Sequence, residues 1–366
     1  MQQTRLIFVG GFLGAGKTTL LWEAARRLAA RGQRVGLITN DQAPNLVDTG
    51  LLAQQGFEVR EVAGSCFCCN FNALIDAAVG LKKDIQADVL IGEPVGSCTD
   101  LSATILQPLK DRYRQEFVLP PLSVLADPAR VRQVLSGDAT AMHPDAAYIF
   151  HKQLEEADII VVNKVDLLSS TERVALHGML ADQFPGRSVR FISAQTGEGV
   201  DEWIDAVLTG RVAGERITTV DYDRYARGEA VLGWLNATCN LSATSGTVDW
   251  QGFCRELLES FKDEFAKRAA SVGHVKIMLS TPHGTLAGNL TRSDAEVSVR
   301  NRLTDSSPEA RLVVNARVEM TPESLEQIVR TTLSQAASTQ VVARIDHLRS
   351  LSPGRPVPTY RYVSIV

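Results

Sequence analysis

The sequence predicts an α/β fold, a mostly parallel sheet covered by helices on both faces, followed by a smaller α+β domain. Three observations carry this. Short apolar runs alternate with helical stretches from residue 6 to about residue 208, the grammar of a parallel sheet. A glycine-rich stretch, Gly11-Phe12-Leu13-Gly14-Ala15-Gly16-Lys17-Thr18, stands between the first apolar run and the first helix. Beyond residue 211 the alternation gives way to helix, consecutive strands and a last helix.

Taken in order, Leu6–Val9 is the first strand, and Thr19–Ala25 opens a good helix. Residues 34–39 form a second buried strand ending at Asn40-Asp41, and a polar loop follows through Asp48. Residues 56–62 alternate as a strand and lead to Cys66-Phe67-Cys68-Cys69; residues 72–83 are helical. Short strands at 88–92 and 122–127, mostly helix over 130–157 broken near His143, and the strand Ile159–Val162 come next. A helix over 171–183, a strand at 189–192 and a helix at 199–208 complete a first domain spanning 1–210. Residues 211–228 are charged and weakly periodic, which predicts a linker. The second domain, 229–366, is expected to hold a strand at 230–237 and a helix at 250–271 with Phe253, Leu257, Phe261 and Phe265 inward. Strands at 274–280, 284–291, 295–302 and 311–318 and a helix from Thr321 follow, then a Pro-rich tail that cannot be regular.

With 45% hydrophobic and 22% charged residues, the 366-residue chain has an ordinary globular composition. A net charge of −4 argues against a nucleic-acid or anionic-membrane partner, and no apolar run reaches membrane-spanning length. The first strand is in use by residue 6, which leaves no place for a signal peptide, and six cysteines are too few for a disulfide framework. The expected compartment is the reducing cytoplasm. Homodimerisation is left open.

Strand, glycine loop and helix are the context of a phosphate-binding P-loop. Gly11, Gly14, Ala15 and Gly16 let backbone N–H groups turn toward phosphate oxygens, and the helix start at Lys17-Thr18-Thr19 adds partial positive charge. Lys17 reaches the outer phosphates, and the Thr18 hydroxyl ligates Mg²⁺. Glu93, after an apolar strand, is the expected Mg²⁺ carboxylate, acting through water. Gly96 lets its backbone approach the γ-phosphate, so 93–100 is the segment that senses hydrolysis. Asn163-Lys164-Val165-Asp166 closes the strand at 159–162. An Asp166 carboxylate can accept from guanine's N1–H and exocyclic amine, whereas adenine has no matching donors. Asn163 and the Lys164 stem hold the purine, and Ser193-Ala194 is expected to give a backbone N–H to guanine O6. The chain therefore reads as a GTPase, with in-line attack of water and charge stabilisation by Lys17, Mg²⁺ and the loop amides. Asp41 and Asp48 are the carboxylates available to orient the water. The competing reading is a P-loop kinase or another ATP-dependent P-loop enzyme.

Cys66, Cys68 and Cys69 place three soft donors in four positions. Such donors select Zn²⁺ and related ions, and a tetrahedral site needs a further ligand. A redox Cys-x-x-Cys pair and inert buried thiols are the alternatives, the latter making the chain a regulatory GTPase. Cys98 lies near the sensing segment and is either a packed thiol or a fourth ligand. His143, His151, Cys239 and Cys254 read as structural.

The glycine loop, the Cys66-x-Cys68-Cys69 cluster after Gly64, Glu93-x-x-Gly96, Asn163-Lys164-x-Asp166 and Gln153 with Ala157-Asp158 occur in an order that resembles the CobW-type GTPases, relatives of HypB and UreG. The resemblance spans the first 210 residues or so. It implies that the cysteines bind a transition metal as cargo, Zn²⁺ or Co²⁺. Nucleotide state would then govern its transfer to a client metalloprotein or cofactor-assembly protein. Two positions depart from that pattern: Asn40-Asp41-Gln42-Ala43 replaces Asn-Glu-Phe-Gly, and Glu93-Pro94-Val95-Gly96-Ser97-Cys98 replaces a segment beginning Glu-Thr-Thr-Gly.

Overall fold

The computed structural model describes residues 3–41, 47–54, 56–137, 142–210, 212–300, 303, 307–336 and 341–366. The chain divides into two compact units. One comprises Met1–Gln42, Leu52–Gly228 and Arg355–Val366, the other Ala43–Leu51 and Glu229–Gly354.

In chain order the elements run β1 (Thr4–Gly11), α1 (Lys17–Ala30), β2 (Val35–Asp41), α2 (Val47–Gln54), of which Val47–Leu51 belong to the second unit, β3 (Glu58–Ala63), α3 (Phe71–Asp84) and β4 (Val89–Glu93). A short π-helix at Ser102–Leu106 then enters α4 (Gln107–Arg112). After it come β5 (Phe117–Val118), β6 (Ser123–Ala126), α5 (Pro128–Leu135), α6 (Pro144–Glu156) and β7 (Ile159–Val162). The last members are α7 (Ser170–Gln183), β8 (Ser188–Phe191), α8 (Val200–Thr209) and α9 (Tyr222–Ala230).

The strands lie in the order β3-β2-β4-β1-β6-β7-β8 with β5 beside β1, and the pairings are parallel. Both faces are covered, so the central strands carry near-continuous apolar runs: Leu6, Ile7, Phe8 and Val9 are all buried. On one face α1 and α8 close over Ile7, Val9, Leu125 and Val161 through Leu20, Leu21, Trp203 and Ile204. The register places Thr39 of β2 beside Glu93 of β4, so the carboxyl ends of these strands are neighbours.

Two expectations change here. The segment expected to be a linker carries α9, because Asp221 Oδ1 accepts from the N–H groups of Asp223 and Arg224 at 2.9 and 3.0 Å and starts a helix whose charges hid its periodicity. Arg224 and Arg227 of that helix pair with Asp145. The polar loop expected through Asp48 is already helical from Val47; Gln42-Ala43 lie outside the described residues.

The second unit holds β9 (Gly233–Ala243), α10 (Trp250–Ala266), β10 (Val272–Thr281), β11 (Gly284–Leu290), β12 (Ser298–Arg300), β13 (Glu309–Val318), α11 (Pro322–Ala336) and β14 (Val341–Leu351). Its antiparallel sheet runs β12-β11-β10-β13-β9-β14. Phe253, Leu257, Phe261 and Phe265 form the buried stripe of α10. Cys239 and Cys254 sit in the same core, where burial pushes their thiols up to about 11 and about 12. β14 has no counterpart in the sequence reading. It is an edge strand with Arg344, Asp346 and Arg349 interleaved among its apolar residues, which masks it as a polar segment. The tail is irregular as expected, but Arg355–Val366 belongs to the first unit and not to the second domain. Its hydrogen bonds, described below, are the reason.

Candidate nucleotide and metal site

The phosphate loop folds from its glycines outward. Gly11 has φ +129°, and a side chain there would strike the Leu125 carbonyl at 2.3 Å; Gly16 has φ +94° and lies against Asn163. Gly14 also has positive φ, and the Ala15 N–H closes the turn onto the Phe12 carbonyl at 3.2 Å. Lys17 is buried, and its ammonium donates to the Gly11 carbonyl at 2.9 Å while standing 3.9 Å from the Glu93 carboxylate. The Thr18 hydroxyl donates to the same carboxylate at 3.1 and 3.2 Å. Thr19 follows on the first turn of α1. The structure thus brings Lys17, Thr18 and Glu93 together.

Gly96 joins them. A Cβ on it would meet Leu13 at 2.6 Å and the Lys17 nitrogen at 3.1 Å, so the backbone after Glu93 passes directly over the loop's lysine. This segment is held from α6. Gln153 donates to the carbonyls of Gly96 and Cys98 at 3.0 and 2.8 Å. The fully buried Glu156 accepts from the Thr99 hydroxyl at 3.2 Å and the Ser102 N–H at 3.0 Å, and burial pushes its carboxyl up to about 8.

At the other end of the loop Asn163 donates to the Ala15 carbonyl at 2.8 Å and accepts from the Ala194 N–H at 2.9 Å. Ser193 gives its N–H to Glu198. Both amides of Ser193-Ala194 are therefore engaged within the fold, where the Ala194 N–H positions Asn163. Lys164 adopts φ 61° and its ammonium pairs with Asp127 at 2.7 Å. Asp127 also caps α5 through Ala129 and Arg130. Burial alone would push its carboxyl up, but Lys164 and these amides outweigh burial and hold it below the usual range. Asp166 is exposed just past β7.

The thiol loop starts where β3 ends, on the same sheet edge. Gly64, at φ +95°, donates to the Asp41 carbonyl, and the N–H groups of Cys69 and Asn70 turn back onto the Cys66 carbonyl. Asn40 organises the loop: its Nδ2 donates to the carbonyls of Val62 and Ser65, and its Oδ1 accepts from the Phe67 N–H, all at 2.8 Å. Phe67 then packs edge-on against Phe8, which turns the thiols together. Cys66 and Cys68 sulfurs lie 2.9 Å apart, Cys66 and Cys69 3.1 Å, and Cys68 and Cys69 3.8 Å. Hydrogen bonds from Cys68, Cys69 and Cys98 hold the Cys66 thiol well below its ordinary range. Its partner role pushes Cys68 well above that range and Cys69 up to about 11. Asp41 is buried beside this loop, whereas Asp48 belongs to the second unit, where its carboxylate accepts from the Lys276 ammonium at 2.6 and 2.7 Å.

The tail completes the site. Thr359 donates its N–H to the Cys68 carbonyl at 2.8 Å and its hydroxyl to the Cys69 carbonyl, and the Val357 amide reaches the Cys69 sulfur. Tyr360 stacks edge-on over Phe71, and Arg361 pairs at 2.7 Å with Asp100, a buried carboxylate that also accepts from Tyr222. Asn40, Asp127, Glu156 and Arg361 are the residues the sequence did not single out for the site. Asp127-Pro128 carried a helix-cap signal, and Tyr360-Arg361-Tyr362 an aromatic-basic one. His143 is structural, capping α6 through the Asp145 N–H.

The sheet, the glycine loop and the strand-end residues define a P-loop nucleotide-binding protein with a thiol cluster on its ligand edge. Residues 5–189 match the family described as CobW/HypB/UreG, nucleotide-binding domain. The chain belongs to that family. It is 24% identical over 330 residues to the zinc chaperone YeiR of Escherichia coli, covering 81% of this chain and 89% of that protein. It is 26% identical over 214 residues to the zinc chaperone CobW of Pseudomonas aeruginosa, covering 52% of this chain and 56% of that one. Among solved structures, the Zn(II)-bound YjiA GTPase from E. coli is similar with a TM-score of 0.39 and 18% identity, over 92% of this chain and 100% of that one. No helix among the described residues is long and apolar enough to cross a membrane.

Proposed function

We propose that this protein is a GTP-hydrolysing metallochaperone: it binds a transition metal, Zn²⁺ or Co²⁺, at Cys66, Cys68 and Cys69 and delivers it under nucleotide control to a client metalloprotein or cofactor-assembly protein. The observation that carries this reading is the pairing of Thr39 with Glu93, which sets the Asn40-anchored thiol loop beside the strand end that carries Glu93. Family membership supports the nucleotide half, and the zinc-chaperone relatives support the cargo half.

In this reading Gly11, Gly14, Ala15, Gly16, Lys17, Thr18 and Thr19 bind the phosphates, while Asn163, Lys164 and Asp166 bind guanine with Ser193-Ala194 behind Asn163. The Thr18 hydroxyl and Glu93 carboxylate, already in contact, are the oxygens that would hold Mg²⁺, which would supply positive charge to the outer phosphates. A water oxygen forms a bond to the γ-phosphorus as the bond to the bridging oxygen breaks. That oxygen leaves with GDP carrying the developing charge, and the water's protons pass to phosphate and solvent. Lys17 and the amides of residues 14–18 meet the charge; Gly96 registers the loss of the γ-phosphate; Asp41 orients the water. Soft thiolates in a buried cluster suit Zn²⁺ or Co²⁺ as cargo.

Purification under reducing conditions with metal analysis, with and without a non-hydrolysable GTP analogue, tests both halves. Cys66→Ala or Cys68→Ala should abolish tight metal binding while GTP still binds in preference to ATP. Unchanged metal stoichiometry in these variants sinks the cargo, and an ATP preference sinks the guanine assignment.

A further inference from the structure

Cys98 lies five residues beyond Glu93, on the segment that passes over Lys17. It is buried, and its backbone is fixed at both ends: its N–H donates to the Val95 carbonyl at 2.9 Å, and its carbonyl accepts from Gln153 at 2.8 Å. The thiol does not simply pack among apolar atoms, because it hydrogen-bonds the thiols of both Cys66 and Cys68. By contrast, burial is the dominant influence on the thiols of Cys239 and Cys254 in the second unit.

Three thiols with sulfur separations of 2.9, 3.1 and 3.8 Å make one face of a tetrahedron. With metal–sulfur bonds of about 2.3 Å, the edges of a tetrahedral site are about 3.8 Å, so a modest spreading of this face admits an ion. One corner is then left to fill, and Cys98, a partner of both the Cys66 and Cys68 thiols, is the thiol that the segment 93–100 supplies.

We propose that Cys98 is the fourth ligand, making the cargo site a closed four-thiolate site that bridges the thiol loop and the segment 93–100. The inference rests on the metallochaperone reading above. It adds a mechanism to it: the ligand on the moving side belongs to the backbone that touches Lys17. A shift of that segment on γ-phosphate loss changes four-coordinate closed binding into three-coordinate open binding, the difference between holding a metal and offering it.

The probe is Co²⁺ added to the full-length reduced protein, read by its thiolate-to-metal charge-transfer absorption, with Zn²⁺ competing for the site. Cys98→Ser should lower the charge-transfer intensity by about a quarter, from four thiolates to three, and weaken Zn²⁺ binding at least about tenfold. Cys239→Ser is the control and should change neither. X-ray absorption of the Zn²⁺-loaded wild-type protein needs no variant and should count four sulfur neighbours; three sulfurs with an oxygen or nitrogen overturn the proposal. So does a Cys98→Ser spectrum identical to wild type while Cys66→Ser loses the band, a result that leaves the cargo reading standing. Failure of the wild-type protein itself to bind Co²⁺ or Zn²⁺ tightly overturns both.

Discussion

Asn40 Oδ1 accepts the Phe67 backbone N–H at 2.8 Å, while the Nδ2 of the same side chain holds the carbonyls of Val62 and Ser65. One amide therefore fixes the thiol loop to the end of β2. Asn40→Ala leaves three backbone groups without their partner, so a loss of about 2–3 kcal/mol in stability is expected. Co²⁺ affinity should fall about tenfold or more, in the range seen when a residue supporting metal ligands is removed. GTP binding should persist, because none of the loop contacts of Lys17 or Asn163 passes through Asn40. A variant with wild-type Co²⁺ affinity would show that the loop holds its shape without this anchor.

Asp166 and Asn163 divide the work at the base end. Asp166 is exposed and available to a base edge, whereas Asn163 is buried between the Ala15 carbonyl and the Ala194 N–H. Asp166→Asn replaces an acceptor-only carboxylate by a group with donors. Its GTP affinity should drop about 10–100-fold, the value of hydrogen bonds to a charged group, and xanthosine triphosphate, whose C2 carbonyl takes a donor, should gain. Asn163→Ala should weaken both nucleotides alike. Equilibrium binding of fluorescent analogues measures all three, and an unchanged GTP-to-xanthosine ratio in Asp166→Asn would remove Asp166 from the base site.

The phosphate and base ends of the site were legible because Gly11, Glu93 and Asn163 sit where apolar strands end, and such strands announce themselves. The runs at residues 6–9, 89–93 and 159–162 are buried on both faces, so composition alone marks them. What stayed hidden depends on long-range hydrogen bonds. Nothing near Asn40 in sequence says that it holds Phe67, and nothing near Arg361 says that it pairs with Asp100 across 261 positions. β14 escaped for another reason: an edge strand needs only one apolar flank, and its arginines read as loop.

The tail's hold on the thiol loop predicts a kinetic effect. Thr359 binds the carbonyls of Cys68 and Cys69, and Arg361 anchors the strand of chain beyond it on the buried Asp100. Arg361→Ala takes the guanidinium away from the buried Asp100 carboxylate, which still accepts from the Tyr222 hydroxyl, at a cost of about 2 kcal/mol once the partial exposure of Arg361 is allowed for. Zn²⁺ should then pass to an added chelator faster than from wild type, with little change in GTP affinity. Stopped-flow transfer to a chromophoric chelator reads this directly. Equal rates would mean that the tail does not control access to the cysteines.

Glu156 gives the clearest pH signature. Its carboxyl is raised from 4.5 to about 8, burial being the largest cause. The folded chain therefore keeps a proton that the unfolded chain gives up above pH 4.5. Stability from this group is fully present below about pH 4.5 and is lost as pH rises through about 8, with a slope of up to about 1.4 kcal/mol per pH unit between them. Glu156→Gln keeps an acceptor for the Ser102 N–H and cannot ionise, so thermal unfolding of this variant should lose that slope and overtake wild type at alkaline pH. Because Thr99 and Ser102 flank the segment that Glu156 holds, GTP affinity of the wild type should weaken over the same window while the variant's stays level. Parallel pH profiles for the two proteins would show that Glu156 is ionised in the fold after all.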